Sequence, residues 1–354
     1  MKIPPAKKPR GFAVIIALVA VTVLTLLAGA FAYAMKVETR LAANTNNDEE
    51  FYWMARGGVE KACWQLAQEG NQPFSSKKQY WADGPGDGPE TNTILADRSI
   101  SAMSDIPIGQ GTVSFTLNEL EEKINVNTAD SQLLQQVLTA QGADPNAISV
   151  VSDSILDWIQ PGDNPRPAGA KSEYYLGLVP SYYAKSAPID VLEELLLIKG
   201  VTTNMYYGTP PDDNTPYPEH QLGFGHRPNQ EANYKFGLRD IFTPFSTGKI
   251  NLLTADEKTL ECLPGLGAGS ESTIADKIIS LRDSDPPIRN IGELLTQAGV
   301  DPQAIGQMST YLDIRGSTYE VHATATIGGI AHEYTAIVCR TGATVQVYNF
   351  YRSK

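Results

Sequence analysis

Residues Phe12 to Met35 form 24 consecutive positions without a charge, FAVIIALVAVTVLTLLAGAFAYAM. As a helix rising ~1.5 Å per residue, this run covers about 36 Å, enough to cross a hydrocarbon core of about 30 Å. Ahead of it stand Lys2, Lys7, Lys8 and Arg10 with no acidic residue. The excess of positive charge keeps that end cytoplasmic and sends everything after Met35 across the membrane. A secretory signal peptide would have a shorter apolar core and a polar break at a small-residue cleavage site, and neither is present. Helical character instead continues to about Gln68, with Phe51, Ala55, Val59, Ala62 and Leu66 on one face at spacings of three and four. Gly70 is placed to end it. The expectation is one rod over 12–68, membrane-spanning over 12–35 and amphipathic beyond. Gly57–Gly58 is its weak point, at roughly 1 kcal/mol per glycine against alanine.

The 354 residues exceed what one small domain needs, so two or three folding units are expected. A formal charge of −12 argues against a surface built mainly for nucleic acid. The cysteines Cys63, Cys262 and Cys339 are too few and too far apart for a disulfide framework or a zinc site. Cys63 with Cys339 is the pair considered for an oxidising compartment.

A loop rich in Gly, Pro, Asp and Ser runs from about Asn71 to Gly111. Thr112–Leu120 then alternates apolar and polar residues as a half-buried strand does. The C-terminus repeats that signal: YEVHATATI, a turn at Gly328–Gly329, HEYTAIVCR, a turn at Gly342, and TVQVYNFYR predict an antiparallel meander. Between these strands, 123–315 reads as helical and contains a repeat. KINVNTAD (123–130) matches KINLLTAD (249–256), and IDVLEELLLIKGV (189–201) parallels IRNIGELLTQAGV (288–300). The copies span 123–207 and 249–315, joined by an irregular segment at 206–248, with Thr128 and Thr254 expected as helix N-caps. Each copy resembles a helix-hairpin-helix unit, with LPGLG (263–267) as a hairpin. That motif often clasps phosphates through backbone amides. The charges oppose this role: 249–316 holds six Lys/Arg against ten Asp/Glu, and 123–207 five against nine. The repeats therefore read as packing modules without nucleic acid.

The basic leader ending at Gly11, followed by Phe12 and the apolar run, resembles a type IV pilin-like prepilin. The resemblance implies that a prepilin peptidase cuts between Gly11 and Phe12 and methylates the new N-terminus. Most pilins carry a glutamate at the fifth mature position, which is Ile16 here. A subunit without that charge gains no buried ion pair from a subunit ahead of it, which suits a filament tip or an initiating complex. The middle of the chain, SILDWIQPGDNPRPAGAKSEYYL (154–176) followed by PIDVLEELLLIKGV, is similar to the K class of type II secretion minor pseudopilins.

The implied fold is α+β: a long N-terminal helix, an antiparallel pilin-like sheet from 71–122 and 316–354, and a large α-helical domain inserted over 123–315. The implied function is structural, at the tip of the secretion pseudopilus. The implied partners are the I- and J-class minor pseudopilins, the major pseudopilin and the prepilin peptidase, with the secretin or the exported cargo as further candidates. The chain would be a single-pass protein of the bacterial inner membrane with its bulk in the periplasm.

No catalytic constellation has sound spacing: there is no Walker loop, His-Glu-x-x-His, Cys-x-x-Cys or Gly-x-Ser-x-Gly. No enzyme activity is expected. One acidic group stands out, Asp153, Asp157, Asp163 and Glu173 around a Pro/Gly loop. Calcium, which takes six to eight oxygen ligands, is the ion such a loop would hold. A solvated loop with capping aspartates is the competing reading. Relatives of the K class are associated with calcium, and Gln160, Lys171 and Ser172 stand where further carboxylates would be expected. Two rival functions share part of this pattern: a membrane-anchored DNA-uptake protein, which would use the hairpins, and a minor pilin of a type IV pilus, which would share the leader but lack the insert.

Overall fold

The computed structural model describes residues 12–87, 94–208, 234–266, 274–284 and 287–353. Helix α1 (Phe12–Gln68) is continuous over 57 residues. Val14–Glu38 is long and apolar enough to cross a membrane, with none of it buried within the chain. The second half of α1 is held by packing: Phe51, Met54, Ala55, Val59, Ala62 and Leu66 are all buried. The double glycine has a physical reason here. A Cβ on Gly58 would lie 2.6 Å from Val113 Cγ1, so the missing side chain lets the helix sit close to the sheet.

After α1 come helix α2 (Arg98–Ser101) and strands β1 (Ile106–Ile108) and β2 (Gly111–Glu119). The insert follows. Its first unit contains β3 (Ile124–Asn125), α3 (Ser131–Gln141), α4 (Pro145–Ile159), α5 (Ser172–Leu176), a 3-10 helix (Leu192–Leu197), α6 (Thr203–Tyr207), α7 (Leu238–Ile241) and β4 (Phe242–Thr243). Its second unit contains β5 (Ile250–Asn251), α8 (Glu257–Glu261), α9 (Ile274–Arg282), α10 (Ile291–Ala298), α11 (Pro302–Met308) and β6 (Leu312–Asp313). The chain closes with β7 (Thr318–Ile327), β8 (Ile330–Thr341) and β9 (Thr344–Arg352).

The main sheet has the order β1-β2-β7-β8-β9 and is antiparallel throughout. β2 and β7, which flank the insert in sequence, pair directly from Thr112↔Thr326 to Glu119↔Tyr319. The insert thus leaves the sheet beside Glu119 and returns to it beside Tyr319. Gly328 and Gly329, both at positive φ, make the tight turn between β7 and β8. The inward residues Val113, Phe115, Leu117, Val321, Ala323, Ala325, Ala336 and Val338 form one core with the buried face of α1.

The repeated KIN segments open each unit and have matching partners. β3 pairs in parallel with β4, and β5 with β6, so each unit begins and ends on a two-residue ladder. The first unit therefore extends to Thr243, beyond the boundary the repeat suggests. Apolar residues of both units, from Ile124 to Leu312, form a second continuous core that also takes in Phe74.

The expected helix N-caps are corrected. The N-cap of α3 is Asp130, whose carboxylate accepts from the Leu133 amide at 2.8 Å, and that of α8 is Asp256. Thr128 and Thr254 instead lie in the turns before the helices, donating to Asn125 O and to Glu119 Oε1. The three cysteines are free thiols, with Cys63 and Cys262 buried. Cys63 lies in the core beneath α1, to which β8 contributes Ala336 and Val338; strand alternation points Cys339 to the opposite face.

Candidate functional site

The anchor is the first feature with a functional consequence. Ile16 is 55% exposed on the outer surface of α1, so the helix offers only apolar surface at that depth. Phe12 begins α1, and Gly11 lies outside the described residues. Beyond the membrane-length segment, α1 exposes Trp53, and Tyr52 is partly exposed at the margin of its packed face. Tyr52 packs against Tyr334 and Phe350 of the sheet.

The second feature is the buried polar joint between sheet and insert. Glu119, at the end of β2, is fully enclosed. Its Oε1 accepts from Asn251 Nδ2 at 2.6 Å and from Thr254 Oγ1 at 3.1 Å. Asn251 also donates to Ser75 O, and its own Oδ1 receives the Leu253 amide. Opposite, the Arg340 guanidinium donates to Ser75 Oγ and Gly316 O and lies 5.1 Å from the Tyr319 ring centre. Glu121 anchors the returning chain, accepting from the amides of Ser317 and Thr318. Burial and the neighbouring Glu121 charge raise the Glu119 carboxyl to about 8, against the pull of Asn251 and Arg340. The second unit thus docks on the sheet through a carboxyl that is largely neutral at pH 7. The sequence names Asn251 only as part of a repeat, and its contact with Glu119 spans 132 positions.

The third feature is the set of helical hairpins. Gly142 and Gly299, at φ 89 and 87°, are the left-handed C-caps of α3 and α10, and Gly200 and Gly265, at φ 86 and 85°, lie in the turns that follow the 3-10 helix and α8. Only glycine adopts that geometry at little cost, and at Gly142 and Gly299 it ends the helix sharply. Each insert unit therefore carries two hairpins. Two of them share a motif that the KIN repeat does not reveal: LTAQGADPNAI (138–148) and LTQAGVDPQAI (295–305). In both, the Asp after the glycine caps the next helix: Asp144 accepts from the Asn146 amide at 2.7 Å, and Asp301 from the Gln303 amide at 2.8 Å. A carboxylate thus occupies a helix N-terminus that a phosphate would need.

The fourth feature is the acidic group. Asp153 and Asp157, one turn apart on α4, do meet one loop. Asp157 is 1% exposed; its Oδ1 accepts from Arg166 Nη1 at 2.9 Å and its Oδ2 from the Arg166 amide at 2.9 Å. Asp153 Oδ2 accepts from the Ala168 amide. Asp163 and Glu173 are solvent-exposed. Lys171, 4% exposed, donates to the backbone carbonyls of Asp157 and Gln160, each at 2.5 Å. Both carboxylate oxygens of Asp157, one of Asp153 and the carbonyls of Asp157 and Gln160 already accept from a guanidinium, an ammonium and amides, and Asp163 and Glu173 point to solvent. This donor set does not fit a divalent cation.

Beside this loop is a groove of about 410 Å³ lined by Tyr174, Tyr175, Val179, Tyr182 and Leu197. Trp158, Tyr175 and Tyr182 pack edge-on or stacked beneath it.

The geometry agrees with known proteins in fold and in sequence. The helix-hairpin-helix family model matches residues 246–313, which is the second unit. No curated protein matches the chain. A chain of the crystal structure of the GspK-GspI-GspJ complex from the enterotoxigenic Escherichia coli type 2 secretion system has a similar fold. It aligns at a TM-score of 0.64 and 15% identity, over 88% of this chain and 99% of that one. The family model for protein K of the type II secretion system matches residues 114–211, which run from within β2 past α6 of the first unit. By that match residues 114–211 are similar to protein K of the type II secretion system, and they sit on a sheet and insert with the fold of the matched chain.

Proposed function

We propose that the chain is the minor pseudopilin that starts or caps the secretion pseudopilus, in complex with I- and J-class minor pseudopilins. The observation that carries this reading is the K-family sequence over 114–211, joined to an N-terminal helix whose apolar span Val14–Glu38 is not buried within the chain. Such a helix gains its stability by packing among lipid and partner helices. The helix lies in the bacterial inner membrane, with the sheet and insert in the periplasm. Prepilin peptidase removes the leader between Gly11 and Phe12, and Ile16 leaves the subunit without the charge that a shaft subunit uses.

In this reading the chain works as a structural part and not as a catalyst. The bulky insert, set on one end of the sheet by the Glu119 joint, blocks the addition of another subunit above it. The helix-hairpin-helix match invites a nucleic-acid reading. Two hairpin N-termini are capped by Asp144 and Asp301, and the net charge is −12, so packing is the better-supported role. Co-expression with the I- and J-class subunits tests the proposal. A stable complex that survives gel filtration is expected, whereas retention of duplex DNA at moderate salt, with no such complex, would overturn it.

A further inference from the structure

The last turn of α4 leaves backbone carbonyls without helical partners, and its partial negative charge attracts a cation. Lys171 reaches this point from eleven residues further on and donates to Asp157 O and Gln160 O. Two more cations complete the enclosure. Arg166 bridges Asp157 Oδ1 and Gln160 Oε1, and Lys199, from the neighbouring hairpin, donates to Ala168 O and Gly169 O. Gly169 shows how closely the loop is drawn in: a Cβ there would lie 2.0 Å from Asp157 Oδ2. The loop 160–171 thus has three basic side chains acting on its carbonyls and carboxylates, with Lys171 buried at the centre.

We propose that Lys171 is the resident cation of this loop, and that the insert is held in shape by its own ammonium without a bound divalent metal. This inference is independent of the tip assignment, because it concerns how the insert folds and not what it meets. An ammonium satisfies fewer oxygens than calcium does, and Arg166 and Lys199 make up the difference. A covalently attached cation also leaves the loop equally ordered whatever the calcium level outside the cell. Removing the charge would take from Asp157 O and Gln160 O the donor they share.

The test is thermal unfolding of the full chain in detergent, with excess chelator or with millimolar calcium, beside the Lys171→Met variant. For the natural chain the two curves should coincide to within about 1 °C, since a ligand that binds only the folded state must raise the midpoint. A saturable rise of several degrees with calcium would overturn the proposal. Lys171→Met keeps the aliphatic stem and loses the charge; it should melt at least about 5 °C lower and be cut within 160–171 at least about tenfold faster by a protease. A variant that melts and resists cleavage like the natural chain would also overturn it. If Lys171→Met does not fold, the calcium titration of the natural chain still decides.

Discussion

Glu119→Gln is the substitution that most directly probes how the insert is fixed to the sheet. The Glu119 carboxyl is buried against Asn251, Thr254, Arg340, Tyr319 and Glu121, and its value rises from the ordinary 4.5 to about 8. A group whose folded value lies above its unfolded value stabilises most below the unfolded value. That stability falls as pH rises from 4.5 and is lost through about 8. Each pH unit in this window is worth ~1.4 kcal/mol, so the loss by pH 7 is on the order of 3 kcal/mol. Glutamine keeps an acceptor for Asn251 and Thr254, and its amide stands where Oε2 has no hydrogen-bond partner. The variant should match the natural chain at pH 5 to within about 1 kcal/mol and exceed it by about 3 kcal/mol at pH 8. Glu121, Glu122 and Glu69 are also raised by burial, so both proteins lose stability with pH, and the difference between them isolates Glu119. Calorimetric melts from pH 5 to 8.5 supply the readout, with Trp81 fluorescence as a local probe because its ring packs edge-on to Tyr319. Parallel stability curves for the two proteins would refute the reasoning.

The other predictions concern the anchor, the helix packing and the hairpins. Gly58→Val should destabilise by at least about 3 kcal/mol through overpacking against Val113, while Gly57→Ala, which meets only the tip of Ile108, should be neutral or stabilising; chemical denaturation separates the two. Asp301→Ala should cost about 1 kcal/mol by loss of the α11 cap and should not confer DNA binding in a gel shift. Mass spectrometry of the mature protein should find N-methyl-Phe12 at its start, and Gly11→Val should leave the precursor uncut. Ile16→Glu should lower membrane insertion by roughly 2–4 kcal/mol without improving secretion.

Much of the architecture is legible because it is written in periodicity. The uncharged run, the Phe51–Leu66 face and the alternating C-terminal strands follow from burial patterns of 3.6 and 2 residues. The joint is not legible, because Glu119, Asn251 and Arg340 are far apart in sequence and none carries a motif of its own. β1 escapes notice because three residues, Ile-Pro-Ile, are too short for alternation to register. Thr128 and Thr254 mislead because the TAD segments offer two cap-forming residues, and in α3 the carboxylate of Asp130 is the one that reaches the Leu133 amide. The acidic group was visible as four carboxylates, but only the fold shows Lys171 among the carbonyls. The LTxxGxDPxAI repeat was readable, yet it links the first hairpin of one unit to the second of the other, across the direction of the KIN repeat.

The central claim is that this subunit ends a filament and does not extend it. Gold labelling of the exposed sheet edge, on pseudopili assembled in cells that overproduce the major subunit, tests it directly. The account predicts one label per filament, always at the same end. Labels repeated along the shaft at the spacing of the major subunit would contradict it.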